Sequence, residues 1–200
     1  VFDVDGTLVD SQADILDAMQ AAFGEVGLSV PSQREILGII GLSLNVAMPR
    51  LAPDADREEH YRLEDAYKRA YMRLRATRGA AVSSPLYPGA RGVLDFLSSQ
   101  ENLLLGVATG KSKRGLDKLL EGHGLQDLFA TQQVADFHPS KPHPSMLRAA
   151  LEETGVAADH AIMVGDTSFD MDMAQAAGIA AIGVSWGYHD QNALSAAQVV

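Results

Sequence analysis

From residue 90 onward, short apolar runs alternate with segments of helical character. The apolar runs cover residues 103–108, 130–135, 161–164 and 180–184, and the helical segments cover 90–100, 112–123, 142–154 and 169–177. Because strands that alternate with helices form parallel sheets, the pattern predicts an α/β fold with a Rossmann-like core. Residues 1–7, VFDVDGT, add a strand that ends abruptly at Asp5-Gly6.

A helical block is inserted directly after this first strand. An amphipathic helix is predicted over 11–24, a second helix begins at Ser32, and one long charged helix covers 56–78. Ser11 with Asp14 resembles a capping box, and Asp10 is expected to cap the same helix without taking part in chemistry. The sequence therefore predicts two units, a core of residues 1–10 and 85–200 and a helical insertion of residues 11–84.

Charge and composition narrow the classes of partner. The net charge of −10 leaves no basic footprint for nucleic acid or for an acidic membrane surface. The absence of cysteine excludes disulfides, thiolate metal sites and cysteine nucleophiles. No apolar run approaches the roughly 18 residues of a membrane span, and no signal peptide pattern precedes the first strand, so we expect a cytoplasmic protein. The missing initiator Met indicates a trimmed start.

Polar side chains collect where the predicted strands end. Parallel strands place their carboxyl ends at one edge of the sheet, where ligands bind. The residues at those ends are Asp3, Asp5, Thr109, Gly110, Lys141, Asp166 and Asp170. Three or more carboxylates suit a hard divalent cation, and a hydroxyl, an amine and a backbone N–H suit an anion. The set is typical of phosphate transfer.

Each of these residues also has a purely structural interpretation. Asp5-Gly6 is a common polar turn, Thr109-Gly110 could end a strand, and Lys141 could be an ordinary exposed lysine. Asp166 could be a helix N-cap, and Asp170 could be a solvent-exposed acid in the first turn of that helix. The spacing of His138 and His143 does not favour zinc, because no third ligand is evident.

The order of these residues resembles the haloacid dehalogenase superfamily, in its magnesium-dependent phosphatase branch. The four motifs are Asp3-Val4-Asp5-Gly6-Thr7, Thr109, Lys141 and Gly165-Asp166-Thr167-Ser168-Phe169-Asp170. The resemblance spans essentially the whole chain, and it identifies the insertion as a helical cap domain. Many relatives carry Asn where this chain has Gly110, which leaves a backbone donor but removes a side-chain donor.

The resemblance implies a role for each motif residue. Asp3 would attack phosphorus and form an aspartyl-phosphate, and Asp5 would serve as acid and then base. Mg²⁺ would lie between the Asp3 carboxylate, the backbone carbonyl of Asp5, and Asp166. Phosphate would contact Gly6, Thr109, Gly110 and Lys141. Asp170 would orient Lys141 or a metal-bound water.

The resemblance further implies a small phosphate ester as substrate and a monomer or homodimer as the active form. The overall pattern most resembles phosphoglycolate phosphatases, and the loop of residues 38–45 is the expected specificity element. Its candidate residues are Gly41 and Asn45, with Arg50 nearby.

Other functions share parts of this pattern. A P-loop is excluded because three residues, not four, separate Gly106 from Gly110. Three alternatives remain: a receiver-like phosphoacceptor module, a phosphomutase and a pyrophosphatase. Mutases of the family use a histidine early in the insertion, whereas the first histidine here is His60. The dehalogenases of the family lack the second acid, so Asp5 argues against that activity. The phosphonate hydrolases need a lysine in the cap to form an imine, and here no lysine precedes Lys68.

Overall fold

Five parallel segments form one sheet at the centre of the molecule. A computed structural model describes residues 1–199. The strands are β1 (Gly106–Thr109), β2 (Thr131–Val134), β3 (Ile162–Gly165) and β4 (Ala180–Gly183). Phe2 forms parallel bridges with both Val107 and Val164, so the first segment lies between β1 and β3. The order across the sheet is therefore β2, β1, first segment, β3, β4.

Helices make up most of the remaining chain, with bounds close to those predicted. They are α1 (Gln12–Val26), α2 (Gln33–Leu37), α3 (Leu44–Leu51), α4 (Arg57–Arg78), α5 (Ala80–Ser83), α6 (Ala90–Ser98), α7 (Lys113–His123), α8 (Ser145–Thr154) and α9 (Ser168–Ala177). Within residues 1–199, none of these helices combines the length and the apolar character that crossing a membrane requires.

Two apolar clusters cover the two faces of the sheet. Val107 belongs to a cluster with Leu94 of α6 and Leu116 of α7. The next residue, Ala108, belongs to a second cluster formed with α8 and α9. Because neighbouring side chains of a strand point to opposite faces, the two clusters lie on opposite sides of the sheet. The predicted α/β core with helices on both faces is confirmed.

The helices between residues 11 and 84 bury a third apolar cluster of their own. It is centred on Met19 and Phe23 of α1, Met48 of α3 and Leu63 of α4. The two ends of the insertion lie side by side, since the backbone N–H of Asp10 donates to the Pro85 carbonyl oxygen at 2.9 Å. The insertion thus leaves and rejoins the sheet-bearing part at adjacent points.

The predicted capping box at the start of α1 is wrong. Ser11 is the N-cap, but its side chain makes no capping hydrogen bond. Its hydroxyl donates instead to the Asp5 carboxylate, and Asp14 is buried and paired with Arg78 at 2.9 Å. The prediction of Asp10 as the N-cap is also wrong, because Asp10 lies one residue before the N-cap. Its carboxylate still accepts from the Gln12 N–H at 3.1 Å.

Candidate active site

Most of the predicted site residues meet at the carboxyl edge of the sheet. Asp3 and Asp5 follow the central segment, Thr109 ends β1, and Asp166 follows β3 directly. Lys141 lies in the connection between β2 and α8, and its side chain is buried against that edge. The convergence expected from the strand pattern therefore holds for these five residues.

Lys141 bridges two of the acids. Its Nζ atom lies 2.7 Å from Asp3 Oδ1 and 2.7 Å from Asp170 Oδ1, and all three side chains are buried. Burial alone would lower the pKa of Lys141, but the Asp170 and Asp3 carboxylates raise it above its ordinary value. Lys141 is therefore a permanently charged bridge between two carboxylates.

Asp170 is fixed by the first turn of α9. Its Oδ2 atom accepts from the Thr167 N–H at 3.1 Å and from the Thr167 hydroxyl at 2.7 Å. Thr167 in return accepts from the Asp170 N–H, which completes a capping box. The helix-capping interpretation of Asp170 and its contact with Lys141 thus hold at the same time.

Asp3, Asp166 and Asp170 form a buried acid cluster. Each offers an oxygen within 4.8 Å of the others. Burial raises the pKa of Asp3 to about 7, with Lys141 opposing this shift and Asp170 adding to it. Burial, followed by the charges of Asp3 and Asp170, raises the pKa of Asp166 far above its ordinary value. Lys141 pairs with Asp3 and Asp170, and within residues 1–199 no cationic side chain pairs with Asp166. The cluster therefore has more carboxylates than cations.

This cluster suits a divalent cation. The Asp3 Oδ2 atom is buried and, within residues 1–199, has no hydrogen-bond partner. A buried carboxylate oxygen without a partner is unfavourable, and a hard cation with oxygen ligands would satisfy it. The residues present therefore fit a Mg²⁺ ion.

Asp166 is held by groups from both ends of the chain. Its Oδ1 atom accepts from the Thr7 hydroxyl at 2.9 Å, and its Oδ2 atom accepts from the Tyr188 N–H at 2.9 Å. Gly6 has a φ of +84°, and a Cβ there would lie 2.1 Å from Asp166 Oδ2. The Gly6 N–H donates to the Val9 carbonyl oxygen, and the missing side chain of Gly6 leaves space for the Asp166 carboxylate. The phosphate contact of Gly6 stays a prediction.

The Asp5 carboxylate lies outside the acid cluster. Its Oδ1 atom pairs with Lys111 Nζ at 2.7 Å and also accepts from the Ser11 hydroxyl. The Tyr188 hydroxyl in turn accepts from the Ser11 N–H at 3.0 Å. Only the backbone carbonyl of Asp5 is expected to face a metal, and its side chain has the cationic and hydroxyl partners just described.

Sequence reasoning missed Lys111 as a site residue. The burial of its side chain alone would lower its pKa, but Asp5 raises it above the ordinary value. A signal is present, since Lys111 follows directly after the Thr109-Gly110 pair at the end of β1. It cannot be interpreted without knowing that Asp5 lies opposite.

Thr109 and Gly110 lie where β1 meets the loop of residues 38–45. Thr109 is buried, and its Oγ1 atom accepts from the Lys111 N–H at 3.3 Å. A Cβ at position 110 would lie only 2.6 Å from the Gly41 carbonyl oxygen. The absence of a side chain at Gly110 therefore lets this loop approach the sheet edge.

A cavity of about 520 Å³ lies between the helical insertion and the sheet edge. Asp3, Asp5, Thr109 and Lys111 are among its lining residues. Of the three expected specificity residues, Gly41 lines the cavity, whereas Asn45 and Arg50 do not.

The other two expected specificity residues have different neighbours. Asn45 is exposed and accepts from the Ser43 hydroxyl at 2.7 Å. Arg50 is exposed and lies over the Phe169 ring, with its Cζ atom 5.6 Å from the ring centroid.

Residues of α4 line the cavity instead, and three of them share one face of the helix. Tyr67, Tyr71 and Arg75 follow one another at intervals of four residues, which places them on one face of the helix. The spacing is visible in the sequence, but the strong charge of α4 favours an exposed surface helix. These three side chains are the main addition that the structure makes to the expected site.

Comparison with known proteins agrees with the fold. A model of the haloacid dehalogenase-like hydrolase family matches residues 1–184. The chain is 36% identical to "Probable phosphatase IndB" of Dickeya dadantii over 99% of this chain and 85% of that protein. It is 34% identical to "Phosphoglycolate phosphatase" of Rhodospirillum rubrum, over 94% of this chain and 79% of that one.

A crystal structure of a hydrolase from Pseudomonas syringae superposes with a TM-score of 0.86 at 26% identity, covering 100% of this chain and 90% of the other. The four motifs, the inserted helices and the match over most of the chain lead to the same assignment. The chain belongs to the haloacid dehalogenase-like hydrolase family.

Proposed function

We propose that this protein is a Mg²⁺-dependent phosphomonoester hydrolase that works through an aspartyl-phosphate. The observation that carries the proposal is the separation of two neighbouring carboxylates into different surroundings. Asp3 lies in a buried acid cluster and, among the described residues, has one oxygen without a partner, whereas Asp5 is paired with Lys111 and Ser11. Acids two residues apart in such different settings suit different chemical tasks.

Asp3 is the proposed nucleophile. One of its carboxylate oxygens attacks phosphorus, the bond from phosphorus to the ester oxygen breaks, and an acyl phosphate forms. Asp5 donates a proton to the departing oxygen, so that the product leaves as an alcohol. Asp5 then removes a proton from a water molecule whose oxygen attacks phosphorus. This second step releases inorganic phosphate and restores the Asp3 carboxylate.

Lys111 and Asp5 are oppositely charged before substrate enters. A phosphoryl group brings negative charge into the cavity and competes with Asp5 for the Lys111 ammonium. Weakening of this pair would free the Asp5 carboxyl group to face the leaving oxygen. The ion pair is thus consistent with an acid that becomes active only when substrate is present.

Mg²⁺ would be held by the Asp3 and Asp166 carboxylates and the backbone carbonyl of Asp5. When bound, it would neutralise charge that develops on the phosphoryl group and lower the repulsion between that group and Asp3. Thr109 and the Gly110 N–H are proposed to hold a phosphoryl oxygen, and Lys141 to offset negative charge. Asp170 is proposed to position Lys141 through their 2.7 Å contact.

Each of the two predicted units has its own proposed role. We propose residues 1–10 and 85–200 as the catalytic core and residues 11–84 as a cap that closes over the substrate. The substrate class is a small phosphorylated metabolite. Phosphoglycolate is the first compound to assay, because it appears in the name of several relatives.

Release of inorganic phosphate from a panel of phosphate esters tests the proposal. With Mg²⁺ we expect many turnovers per protein molecule, and with EDTA we expect none. Asp3→Asn should lower kcat by at least about 10³-fold while the far-UV circular dichroism stays unchanged. Asp10→Asn, which changes an exposed acid seven residues away, is the matched control and should keep wild-type turnover.

Three results would overturn the proposal or part of it. Full turnover in EDTA would remove the metal, and phosphate release from Asp3→Asn at near wild-type rate would remove the covalent intermediate. Phosphorylation that stops after one equivalent per chain would favour a phosphoacceptor module over an enzyme.

A further inference from the structure

The wall of the cavity is predominantly apolar. Ile15 and Met19 of α1, Ile40 and Leu42 of the 38–45 loop, and Ala47 of α3 line it, and all five are buried. Acidic and hydroxyl groups line the base, around Asp3, Asp5 and Thr109. Three exposed cations, Lys68, Arg114 and Lys118, also line the cavity. A ligand that fills the cavity must therefore present an anionic end to the base and an apolar body to the wall.

The volume is large for a two-carbon alcohol. A cavity of about 520 Å³ falls within the range that holds ligands of drug size. Phosphoglycolate would occupy the base and leave most of the apolar wall facing water, which is unfavourable. A ring-sized apolar group would cover that wall and displace the water.

Two aromatic rings form one side of this wall. Tyr67 and Tyr71 stack with their ring centroids 5.8 Å apart and their planes at 29°. Lys111 Nζ lies 5.3 Å from the centroid of Tyr71, and Arg75 Cζ lies 5.6 Å from it. The aromatic wall thus lies next to Lys111, which pairs with Asp5 at the bottom of the cavity, and next to Arg75.

Arg75 has no acidic partner among the residues that the structure describes. Its Nη1 atom donates to the Gly115 carbonyl oxygen at 3.0 Å, which ties α4 to α7. Its Nε and Nη2 atoms are buried, and within residues 1–199 they have no hydrogen-bond partner. Lys111, by contrast, is already neutralised by Asp5. Buried guanidinium donors of this kind match a carboxylate, which could accept two parallel hydrogen bonds.

We propose, resting on the phosphatase function above, that the substrate is a phosphomonoester of an alcohol with a ring-sized apolar body and a carboxylate. The phosphoryl group lies at Asp3, the body lies against the apolar wall and Tyr71, and the carboxylate reaches Arg75. Hydrolysis releases the corresponding hydroxy acid and inorganic phosphate.

Four esters separate the two parts of this proposal. Ethyl phosphate has a small, uncharged alkyl group, and 2-phosphoglycolate has a small group with a carboxylate. Benzyl phosphate adds a ring, and 4-carboxybenzyl phosphate adds both. All four leave as alcohols rather than phenols, so leaving-group acidity contributes little. We expect kcat/KM to be at least tenfold higher for benzyl than for ethyl phosphate, and highest for 4-carboxybenzyl phosphate.

A variant isolates the carboxylate contact. Arg75→Met should reduce the ratio of kcat/KM between 4-carboxybenzyl and benzyl phosphate by at least tenfold, chiefly through KM. Arg73→Met is the matched control, since Arg73 is on the same helix with a side chain that is 71% exposed. It should leave the ratio unchanged.

The possible outcomes decide the inference and the function separately. A higher kcat/KM for 2-phosphoglycolate than for 4-carboxybenzyl phosphate would overturn the inference while leaving the phosphatase function intact. An unchanged ratio in Arg75→Met would remove the carboxylate contact. If none of the four esters is hydrolysed, the phosphatase function fails. Calorimetric binding of 4-(phosphonomethyl)benzoate, present or absent, would then decide the inference alone.

Discussion

At the scale of single residues, the unequal pairing of buried charges distinguishes the site from the rest of the fold. Asp14 is as buried as Asp3, and it pairs at 2.9 Å with Arg78, whose only other acidic contact in residues 1–199 is the exposed Asp17 at 3.5 Å. Asp3 and Asp170 share Lys141, and Asp166 has no salt-bridge partner within residues 1–199. Buried charge that lacks compensation destabilises the fold, so such a cluster indicates a ligand rather than a structural ion pair.

Gly110 and Gly41 meet through their backbones, and this contact gives a residue-scale prediction. Gly110→Ala places a Cβ 2.6 Å from the Gly41 carbonyl oxygen, a distance that requires the 38–45 loop to move. We expect kcat/KM to fall by about 10- to 100-fold, because the cap loop no longer reaches the sheet edge. Steady-state kinetics on the best ester of the panel measure the change.

Gly92→Ala is the matched control for this substitution. Gly92 lies in α6, and within the described part of the chain no atom is closer than 4 Å to the place that an alanine methyl group would take. Alanine should therefore add about 0.5–1 kcal/mol of stability without changing kinetics. Wild-type kcat/KM in Gly110→Ala would show that the two backbones need not approach for catalysis.

At the scale of elements, the first turn of α9 joins helix capping to the site. Thr167→Ala removes the hydroxyl that accepts from the Asp170 N–H and donates to Asp170 Oδ2. We expect a loss of about 0.5–2 kcal/mol in the free energy of unfolding. We also expect kcat to fall by about 10- to 100-fold, because Asp170 no longer holds Lys141 in place.

The capping box of α2 provides the comparison. Ser32 and Glu35 form the same arrangement at the surface, so Ser32→Ala should lower stability by a similar amount. Its kcat should stay at the wild-type value. Urea titrations and initial rates measure both variants, and equal kcat losses in both would contradict a positioning role for Asp170.

The elements themselves are predictable because their boundaries are specified locally. Strands end at Thr109-Gly110 and Gly165-Asp166, and Ser32 with Glu35 marks the start of α2. The cap at the start of α1 is mispredicted because the Ser11 hydroxyl has a buried competitor, Asp5, that capping rules do not consider. A tertiary contact overrides the local preference.

The site is predictable only where chain topology brings residues together. Asp3, Thr109 and Asp166 follow strands of one parallel sheet, so their proximity follows from the strand order. The cavity wall depends on how the insertion packs over that edge, which no local pattern specifies. For this reason the sequence favours Arg50 over Arg75, although Arg75 lies on a helix whose existence is predicted.

At the scale of the whole molecule, the acid cluster links metal binding to stability. Mg²⁺ at 100 times its Kd should stabilise the folded state by about 2.7 kcal/mol. For a domain of this size that corresponds to about 5–10 °C in Tm. Asp166→Asn should lose most of this shift, because it removes a proposed ligand, and should raise the Tm of the metal-free protein, because it removes buried negative charge.

Differential scanning calorimetry with and without Mg²⁺ measures these shifts. Asp54→Asn changes an exposed acid and serves as the control, with a wild-type response to Mg²⁺. A full Mg²⁺ shift in Asp166→Asn would place the metal elsewhere. This readout does not depend on the identity of the substrate.

The adjacent ends of the insertion have a consequence for how such a chain can be modified. Val9 and Leu86 form an antiparallel bridge, and the Tyr87 N–H donates to the Leu8 carbonyl oxygen at 3.0 Å. The sheet-bearing part therefore needs only a short turn to close the gap between residues 10 and 85. Helical blocks of different length or sequence could be exchanged at this junction. The preference for the leaving group could then be changed by replacing residues 11–84, while the residues proposed to bind phosphate stay as they are.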